Sequence, residues 1–190
     1  MFESWSAESY IIDFLKESSV QKMKDFSFAG IGFSSKVFPV LAQIIDDGNI
    51  DVEYEGGLKG QAAYDYAKNT LVVGFVKPDS LTKKALLIHE CTHAAYDCVK
   101  QKMNVQTSES IAYIAQCLYA RINAPSGSPR LQNASDAVRD EVFKVGWEIA
   151  GSIIDGKSVN LSEQTAMISA VSKHPFYSGN FAASAGFNGV

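Results

Sequence analysis

Long apolar runs, basic clusters and a secretion signal are the features that this chain of 190 residues lacks. No apolar stretch approaches the roughly 20 residues of a membrane-spanning helix, and the N-terminus has no basic start followed by an apolar segment. Lysine and arginine (17) are outnumbered by aspartate and glutamate (21) and are scattered, which argues against nucleic-acid binding. We therefore expect no nucleic-acid or membrane partner, and either a cytoplasmic location or export by a signal-independent route.

Cysteine is also scarce, since Cys91, Cys98 and Cys117 are the only three. An odd count without a Cys-x-x-Cys pair favours neither a disulfide framework nor a thiolate zinc site. We expect these residues to be small buried hydrophobes in a reducing compartment. A hydrophobic content of 46% and a charged content of 20% are typical of globular proteins, and the length suits a single domain over residues 1–190.

Hydrophobic periodicity predicts an α+β fold, with a small mixed or antiparallel sheet packed on several helices. Residues 50–76 alternate apolar and polar side chains and end in a β-branched run, which predicts two or three strands with a turn at Lys68-Asn69. The stretch Gly30-Ile31-Gly32 is predicted as a turn, because a dinucleotide-binding loop needs a third glycine between a strand and a helix. Helices are predicted at about 7–24, 35–46, 80–102, 108–123, 134–155 and 161–173, followed by an irregular tail from about 175. Ser80 or Thr82 is the predicted N-cap of the third of these helices.

Two of the chain's three histidines lie in the pentapeptide His89-Glu90-Cys91-Thr92-His93, an H-E-x-x-H motif inside a predicted helix. The i, i+4 spacing puts both imidazoles on one helical face, one turn apart, close enough to share a zinc ion. Glu90 is rotated by about 100° from His89, so we expect it to act as a general base on a water whose pKa zinc lowers towards about 7. Cys91 faces away from the metal. The alternative is a chance motif with two solvated or core histidines.

A catalytic zinc ion with one open position needs a third protein ligand. The metzincin extension is absent, because Tyr96 and Val99 stand where that extension has its glycine and its third histidine. Asp97 shares the face of the two histidines, but positions i and i+8 are about 12 Å apart on a helix, too far to share an ion. We expect Asp97 to support a ligand or to face solvent.

Glu109 is the favoured third ligand. It is predicted in the first turn of the next helix, which Thr107 or Ser108 would cap, behind a short polar connection. The plain alternative is a first-turn acid that interacts with the helix dipole. Three other acids on later helices compete for the role: Glu141, Glu148 and Glu163.

The segment His89–Ala94, followed by Glu109-Ser110-Ile111-Ala112-Tyr113, resembles the gluzincin branch of zincin-like metallopeptidases, and in particular its compact bacterial members, toxin-associated ones included. In that branch, a helix of the Glu-x-x-Ala type after H-E-x-x-H supplies the third ligand. The resemblance covers about residues 70–120. It implies zinc as the cofactor, His89, His93 and Glu109 as its ligands, Glu90 as the general base, and hydrolysis of a peptide or protein substrate.

The transition state of such a reaction needs a further donor for its oxyanion, which gluzincins often take from a tyrosine or histidine in a later segment. His174 precedes Pro175, so its backbone is predicted to be extended and its ring could turn into a cleft. A helix C-terminal histidine favoured by the helix dipole is the alternative. Tyr113 and Tyr177 are the other candidates.

Two further expectations concern substrate and function. The β-branched run Thr70–Phe75 is predicted to line the cleft, where a substrate could add as an extended strand. The alternative function is a zincin-shaped binding module, or a secreted effector or toxin, that acts through a partner without general proteolysis. The presence of Glu90 argues against a pure scaffold, which needs no base. The oligomeric state is left open.

Overall fold

The computed structural model describes residues 2–177 and 183–190. Within these ranges the chain has an α+β architecture with seven α-helices and two small β-sheets, which confirms the predicted fold class. The helices are α1 (Phe2–Leu15), α2 (Ser18–Gln21), α3 (Val37–Asp46), α4 (Leu81–Cys98), α5 (Val105–Asn123), α6 (Ala137–Ile154) and α7 (Leu161–Lys173). The strands are β1 (Phe26–Phe28), β2 (Ile31–Phe33), β3 (Asp51–Tyr54), β4 (Ala62–Asp65) and β5 (Thr70–Val73). Among the described helices, none combines the length and the hydropathy needed to cross a lipid bilayer.

The chain forms two compact units. The first unit comprises Met1–Lys22, Ser35–Gln101 and Gly186–Val190, and the second comprises Met23–Ser34 and Lys102–Ala185. A compact unit can be a domain or part of one, so a single domain over residues 1–190 stays a prediction. Residues 183–190 contain neither helix nor strand, apart from an isolated bridge between Asn104 and Ser184. Residues 178–182 of the predicted irregular tail lie outside the described ranges.

The sheet of the first unit is mixed, with strand order β3-β5-β4. The central strand β5 runs parallel to β3 and antiparallel to β4. The predicted turn at Lys68-Asn69 is present, and Asn69 has a φ of 51° there. The expectation that the run Thr70–Phe75 accepts an extended substrate is wrong, because β5 is paired on both sides. The open edges of this sheet belong to β3 and β4.

The helices of the first unit differ from the predicted ones at their ends. The helix predicted over 7–24 begins earlier, as α1, and is broken before the short α2. In α4, Ser80 is the N-cap and accepts a hydrogen bond from the Lys83 backbone N–H at 3.2 Å, as predicted. The helix ends at Cys98 instead of 102, because Lys100 adopts a left-handed φ of 50° and Gln101 N–H returns to the Tyr96 carbonyl.

The second unit contains a β-hairpin that the sequence analysis missed. β1 and β2 pair antiparallel around Ala29 and Gly30, whose φ values of 51° and 81° are those of a type I′ turn. The predicted turn therefore covers only the first residue of Gly30-Ile31-Gly32, since Ile31 and Gly32 already belong to β2. Apolar residues alternate with Ser27 and Gly32 on either side of the turn, a period-two signal present over only three residues per strand.

Helix α5 forms the core of the second unit, where it packs against α6 and α7. Residues 110–120 of α5 are all buried, which a helix covered on several sides requires. Gly146 allows the close approach of α6, because a Cβ at this position would lie 3.0 Å from Cys117 Sγ. The N-cap of α5 is Asn104, whose side chain accepts from the Thr107 N–H at 2.8 Å. The caps predicted at Thr107 or Ser108 are therefore wrong by one turn.

An ion pair ties the loop before α6 to that helix. Arg130 donates to both oxygens of Asp140, and the Asn133 backbone N–H donates to Asp140 Oδ1 at 2.8 Å. The hydrogen bond from Arg130 is the main reason why the pKa of Asp140 is lowered from 3.8. A carboxyl with a depressed pKa stabilises the fold above its unfolded-state pKa and loses this contribution as the pH falls through its folded-state pKa.

We therefore expect Asp140→Asn to lower the free energy of unfolding by about 1–2 kcal/mol at pH 7. The difference from the unsubstituted protein should shrink below about pH 4, where the unfolded-state carboxyl is protonated. Urea denaturation at several pH values measures both effects. Asp155→Asn is the control, because its side chain is 63% exposed in its pair with Lys157. An equal decrease in the free energy of unfolding at pH 7 and pH 3 would show that the ionised Asp140 carboxylate is not the source of this stability.

Candidate metal centre

Helix α4 presents His89 and His93 side by side. Their ring centroids lie 5.0 Å apart with an interplanar angle of 74°. His89 is buried and His93 is half-buried. This is the arrangement predicted from their spacing, because side chains at i and i+4 lie one above the other on a helix.

Glu109 lies in the second turn of α5, not in its first, because Asn104 starts the helix one turn earlier than predicted. The attraction of an acid to a helix N-terminus falls off within the first turn, so the helix dipole is a weak reason for a glutamate here. One donor atom each from His89, His93 and Glu109 lies within 4.8 Å of the others. Among the described residues, this is the one group of three or more potential ligands that could hold a metal ion.

The chemistry of this donor set fits zinc. Two imidazole nitrogens and one carboxylate oxygen are a ligand set of catalytic zinc sites, with the fourth position left for water or substrate. Donor atoms about 2.0–2.2 Å from a tetrahedral ion are about 3.4 Å apart. The three donor atoms lie within 4.8 Å of one another. Side-chain movements of about an ångström would therefore bring them to the spacing that zinc requires. The group identifies a possible metal site and leaves the identity of the metal open.

Glu90 stands apart from this group. Its Oε2 accepts a hydrogen bond from the Tyr64 backbone N–H, on strand β4, at 3.0 Å. The side chain therefore has a defined direction towards the edge strand. This position agrees with the expectation that Glu90 is rotated away from the ligand face of α4.

Asp97 does not face solvent. It is fully buried and accepts three hydrogen bonds, which come from the Tyr64 hydroxyl at 2.8 Å and from the backbone N–H groups of Asn188 and Gly189 at 2.7 and 2.9 Å. Burial, followed by the hydrogen bond to Asp97, raises the pKa of Tyr64 well above its usual range, so the phenol stays protonated and donates. Asp97 thus anchors the C-terminal segment onto α4.

The two predicted transition-state residues come together in the second unit. The His174 ring centroid lies 6.3 Å from that of Tyr113 and 4.9 Å from that of Tyr177. His174 is buried, and its backbone is extended before Pro175, as predicted, with ψ at 129°. Its Nδ1 accepts from the Phe176 N–H at 3.4 Å, which is consistent with an imidazole whose Nε2 carries the proton.

Tyr177 joins Glu109 to this cluster. Its phenol is hydrogen-bonded to the Glu109 carboxylate and to Tyr113. Burial, and next the negative charge of Glu109, raise the pKa of Tyr177 far above its usual range. The Tyr177 hydroxyl therefore stays protonated at neutral pH and can donate. From the sequence, Tyr177 is predicted only as a candidate oxyanion donor, and its contact with Glu109 is visible only in the tertiary structure.

The competing acids are engaged elsewhere or lie apart from the metal group. Glu163 completes the capping box of α7 with Asn160 and accepts from the Ser152 hydroxyl at 2.7 Å. Glu141 pairs with Lys144 at the surface. Glu148 is not among the residues grouped with the two histidines.

All three cysteines are free thiols. Cys91 and Cys117 are buried, and burial raises the pKa of Cys117 to about 12 and that of Cys91 beyond the usual thiol range. Burial, with a smaller contribution from Asp97, raises the pKa of Cys98 to about 11. A thiol that stays protonated at neutral pH is a poor nucleophile and a poor metal ligand. Cys91 and Cys117 are buried as expected, whereas Cys98 is half-buried and was expected to be buried.

The chain matches no protein-family model, and no curated protein or solved structure is significantly similar to it. The function therefore has to be inferred from the geometry and chemistry of the site itself.

Proposed function

We propose that this protein is a zinc-dependent peptidase of the zincin-like, gluzincin type, in which His89, His93 and Glu109 hold the metal. The single observation that carries the proposal is the convergence of these three side chains, with one donor atom each inside 4.8 Å. The H-E-x-x-H spacing supports it independently, because the third ligand expected from the sequence is the one that completes the group.

A zinc ion in this position would act as a Lewis acid and lower the pKa of a water molecule to about 7. Glu90 would then serve as the general base, taking a proton from the attacking water and returning it to the leaving amine. The hydrogen bond from the Tyr64 N–H holds one oxygen of the Glu90 carboxylate. The second oxygen can then face the attacking water. This restraint supports a base with a fixed direction, which proton transfer requires.

Strand β4 is the proposed binding edge for the substrate. Gly74 N–H donates to the Gln61 carbonyl at 2.8 Å, so the backbone groups of Gln61 face β5. Every second residue after it along β4 faces β5 in the same way. The backbone groups of Ala62 and Tyr64 then face away from β5. An extended peptide could add there by main-chain hydrogen bonds to Ala62 and to the Tyr64 carbonyl, because the Tyr64 N–H already donates to Glu90. This replaces the earlier expectation for β5.

Tyr113 and His174 are the proposed donors to the developing oxyanion, and Tyr177 is proposed to position Glu109. A hydroxyl and an imidazole N–H aimed at developing charge are worth most where water is excluded. Both side chains are buried, at 8% and 4% exposure for Tyr113 and His174. Burial of these donors supports that role.

The direct test is incubation of the purified protein with casein and a peptide library, with and without a chelator. We expect cleavage that the chelator stops and added zinc restores. Absence of cleavage with stoichiometric zinc bound would overturn the peptidase proposal and favour the zincin-shaped binding module. Toxicity on expression in a bacterial host, lost in the Glu90→Gln variant, would extend the proposal to an effector.

Tyr177→Phe tests the positioning of Glu109. The substitution removes one hydroxyl and leaves the ring, so the Glu109 carboxylate loses a donor. Removal of a group that orients a metal ligand typically weakens metal affinity by about 10–100-fold, and we expect a loss in this range in a zinc titration with a competing chelator. Tyr10→Phe removes the same atom from an exposed ring on α1 and should change nothing. Unchanged zinc affinity in Tyr177→Phe would refute the role.

A further inference from the structure

The C-terminal segment of the first unit, Gly186–Val190, is held against α4 by a set of contacts that the proposed reaction does not use. Asp97 accepts the backbone N–H groups of Asn188 and Gly189. Asn69 Nδ2 donates to the Gly189 carbonyl at 3.4 Å. We call this segment the C-terminal clasp.

The clasp fits closely where it lies. Gly186 has a φ of 82°, and a Cβ at this position would come within 2.6 Å of the Tyr66 ring. Gly189 has a φ of 88°, and a Cβ there would come within 2.2 Å of the Lys100 side chain. Glycine permits the left-handed backbone at both positions and the close approach to the Tyr66 ring at Gly186, whereas the flexible Lys100 side chain beside Gly189 can move aside. The clasp is therefore a specifically packed segment.

Phe187 is the residue that the clasp presents to the candidate metal centre. Its ring centroid lies 6.4 Å from that of His93 and 6.5 Å from that of Tyr66. The His93 ring thus has an aromatic neighbour in Phe187 and a second ring neighbour in His89, at 5.0 Å. A histidine on a helix has several side-chain rotamers, and ring neighbours of this kind restrict the choice.

Asp97 connects this packing to the metal-binding helix. It stands one turn after His93 on α4, and both of its oxygens are used, one for the clasp and one for Tyr64. The position of Phe187 relative to His93 is therefore set by hydrogen bonds made on the same helix. Without these hydrogen bonds, Phe187 could move away from His93. The His93 ring would then lose conformational entropy on metal binding, which lowers the affinity for the metal.

We propose that Phe187, held by the Asp97 clasp, is a positioning residue that preorganises His93 as a metal ligand. This inference rests on the proposed function, which identifies the site as a metal centre. It gives a role in metal binding to a segment far along the chain from the H-E-x-x-H motif. It predicts that tight zinc binding requires the backbone N–H of Asn188 and does not require the side chain of this residue.

The test compares four proteins: the unsubstituted protein and the variants Phe187→Ala, Asn188→Pro and Asn188→Ala. Asn188→Pro removes the N–H that donates to Asp97, whereas Asn188→Ala keeps it and is the matched control. Zinc affinity is measured by competition with a chelating indicator. Phe187→Ala and Asn188→Pro should bind zinc about 10-fold more weakly, and Asn188→Ala should bind as the unsubstituted protein does.

A second readout uses the metal-free proteins. The chain has three histidines, so long-range ¹H–¹⁵N spectra of the imidazoles can be assigned with single substitutions. The His93 ring signals should shift in Phe187→Ala and Asn188→Pro and stay in place in Asn188→Ala. A thermal unfolding curve for each variant shows whether the fold is intact.

The outcomes separate this inference from the proposed function. If the unsubstituted protein binds zinc and neither Phe187→Ala nor Asn188→Pro changes its affinity, the positioning role is overturned and the metal site stands. Equal losses in Asn188→Ala and Asn188→Pro would also overturn it. If none of the four proteins, the unsubstituted one included, binds zinc while the His93 signals respond as expected, the metal site fails. The ordering of His93 by the clasp is then still supported.

Discussion

Replacing Glu90 with glutamine is expected to abolish peptide hydrolysis while zinc remains bound. Glutamine has the size of glutamate and keeps an oxygen that can accept from the Tyr64 N–H, so the side chain can stay on β4. It cannot take a proton from water at neutral pH. General bases contribute about 10²–10⁴-fold to a rate, and we expect a fall in kcat/KM of at least about 100-fold.

The measurement is the rate of cleavage of a peptide identified in the library, together with zinc content by atomic absorption. Glu53→Gln makes the same change on an exposed position of β3 and should retain full activity. A Glu90→Gln protein with full, chelator-sensitive activity would show that Glu90 is not the base. A variant that loses its zinc would indicate that Glu90 contributes to the metal site.

Removal of either histidine of α4 is expected to remove the metal. A structural four-ligand zinc site contributes roughly 10–16 kcal/mol, which is about 3 kcal/mol per ligand. Since 1.4 kcal/mol corresponds to a factor of ten, His93→Ala should bind zinc at least about 100-fold more weakly. His89→Ala should do the same, but it also empties a buried position, so His93→Ala, at the half-buried position, is the cleaner variant.

His174→Gln is the matched control, because it removes the third histidine of the chain, which is not among the residues grouped as potential metal ligands. It should keep zinc at the level of the unsubstituted protein and reduce turnover through loss of an oxyanion donor. Zinc content after dialysis and the thermal midpoint with and without zinc give two independent readouts, since a bound ion stabilises the fold by mass action. Zinc retained by His93→Ala but lost by His174→Gln would place the metal elsewhere.

The pair of histidines and the general position of Glu90 were predictable because they depend on helix geometry alone. The i, i+4 spacing places two side chains on one face wherever a helix forms. The apolar periodicity around the motif indicated that a helix would form, and α4 starts at its predicted cap, Ser80. Helix α7 has its predicted bounds, and in the structure Asn160 and Glu163 close its N-terminus with a capping box.

Other features depended on contacts that spacing does not encode. The β1–β2 hairpin was missed because three residues per strand give too short an alternation to distinguish it from a loop. The end of α4 was placed too late because its left-handed residue is Lys100, where glycine is the usual signal. Glu109 was favoured correctly as a member of the group, but for a first-turn position that it does not occupy.

The sequence by itself determined the fold class, most of the helices and the H-E-x-x-H pair, because each follows from periodicity and caps within one stretch of chain. Only the tertiary structure decided that β5 is a central strand, that Tyr177 contacts Glu109, and that Asp97 anchors the segment bearing Phe187. The physical reason is that such pairing depends on how the elements pack: β5 pairs with β3 at a separation of 19 residues, and the contacts of Glu109 and Asp97 join residues 68 to 92 positions apart. No local propensity specifies a partner at that distance along the chain.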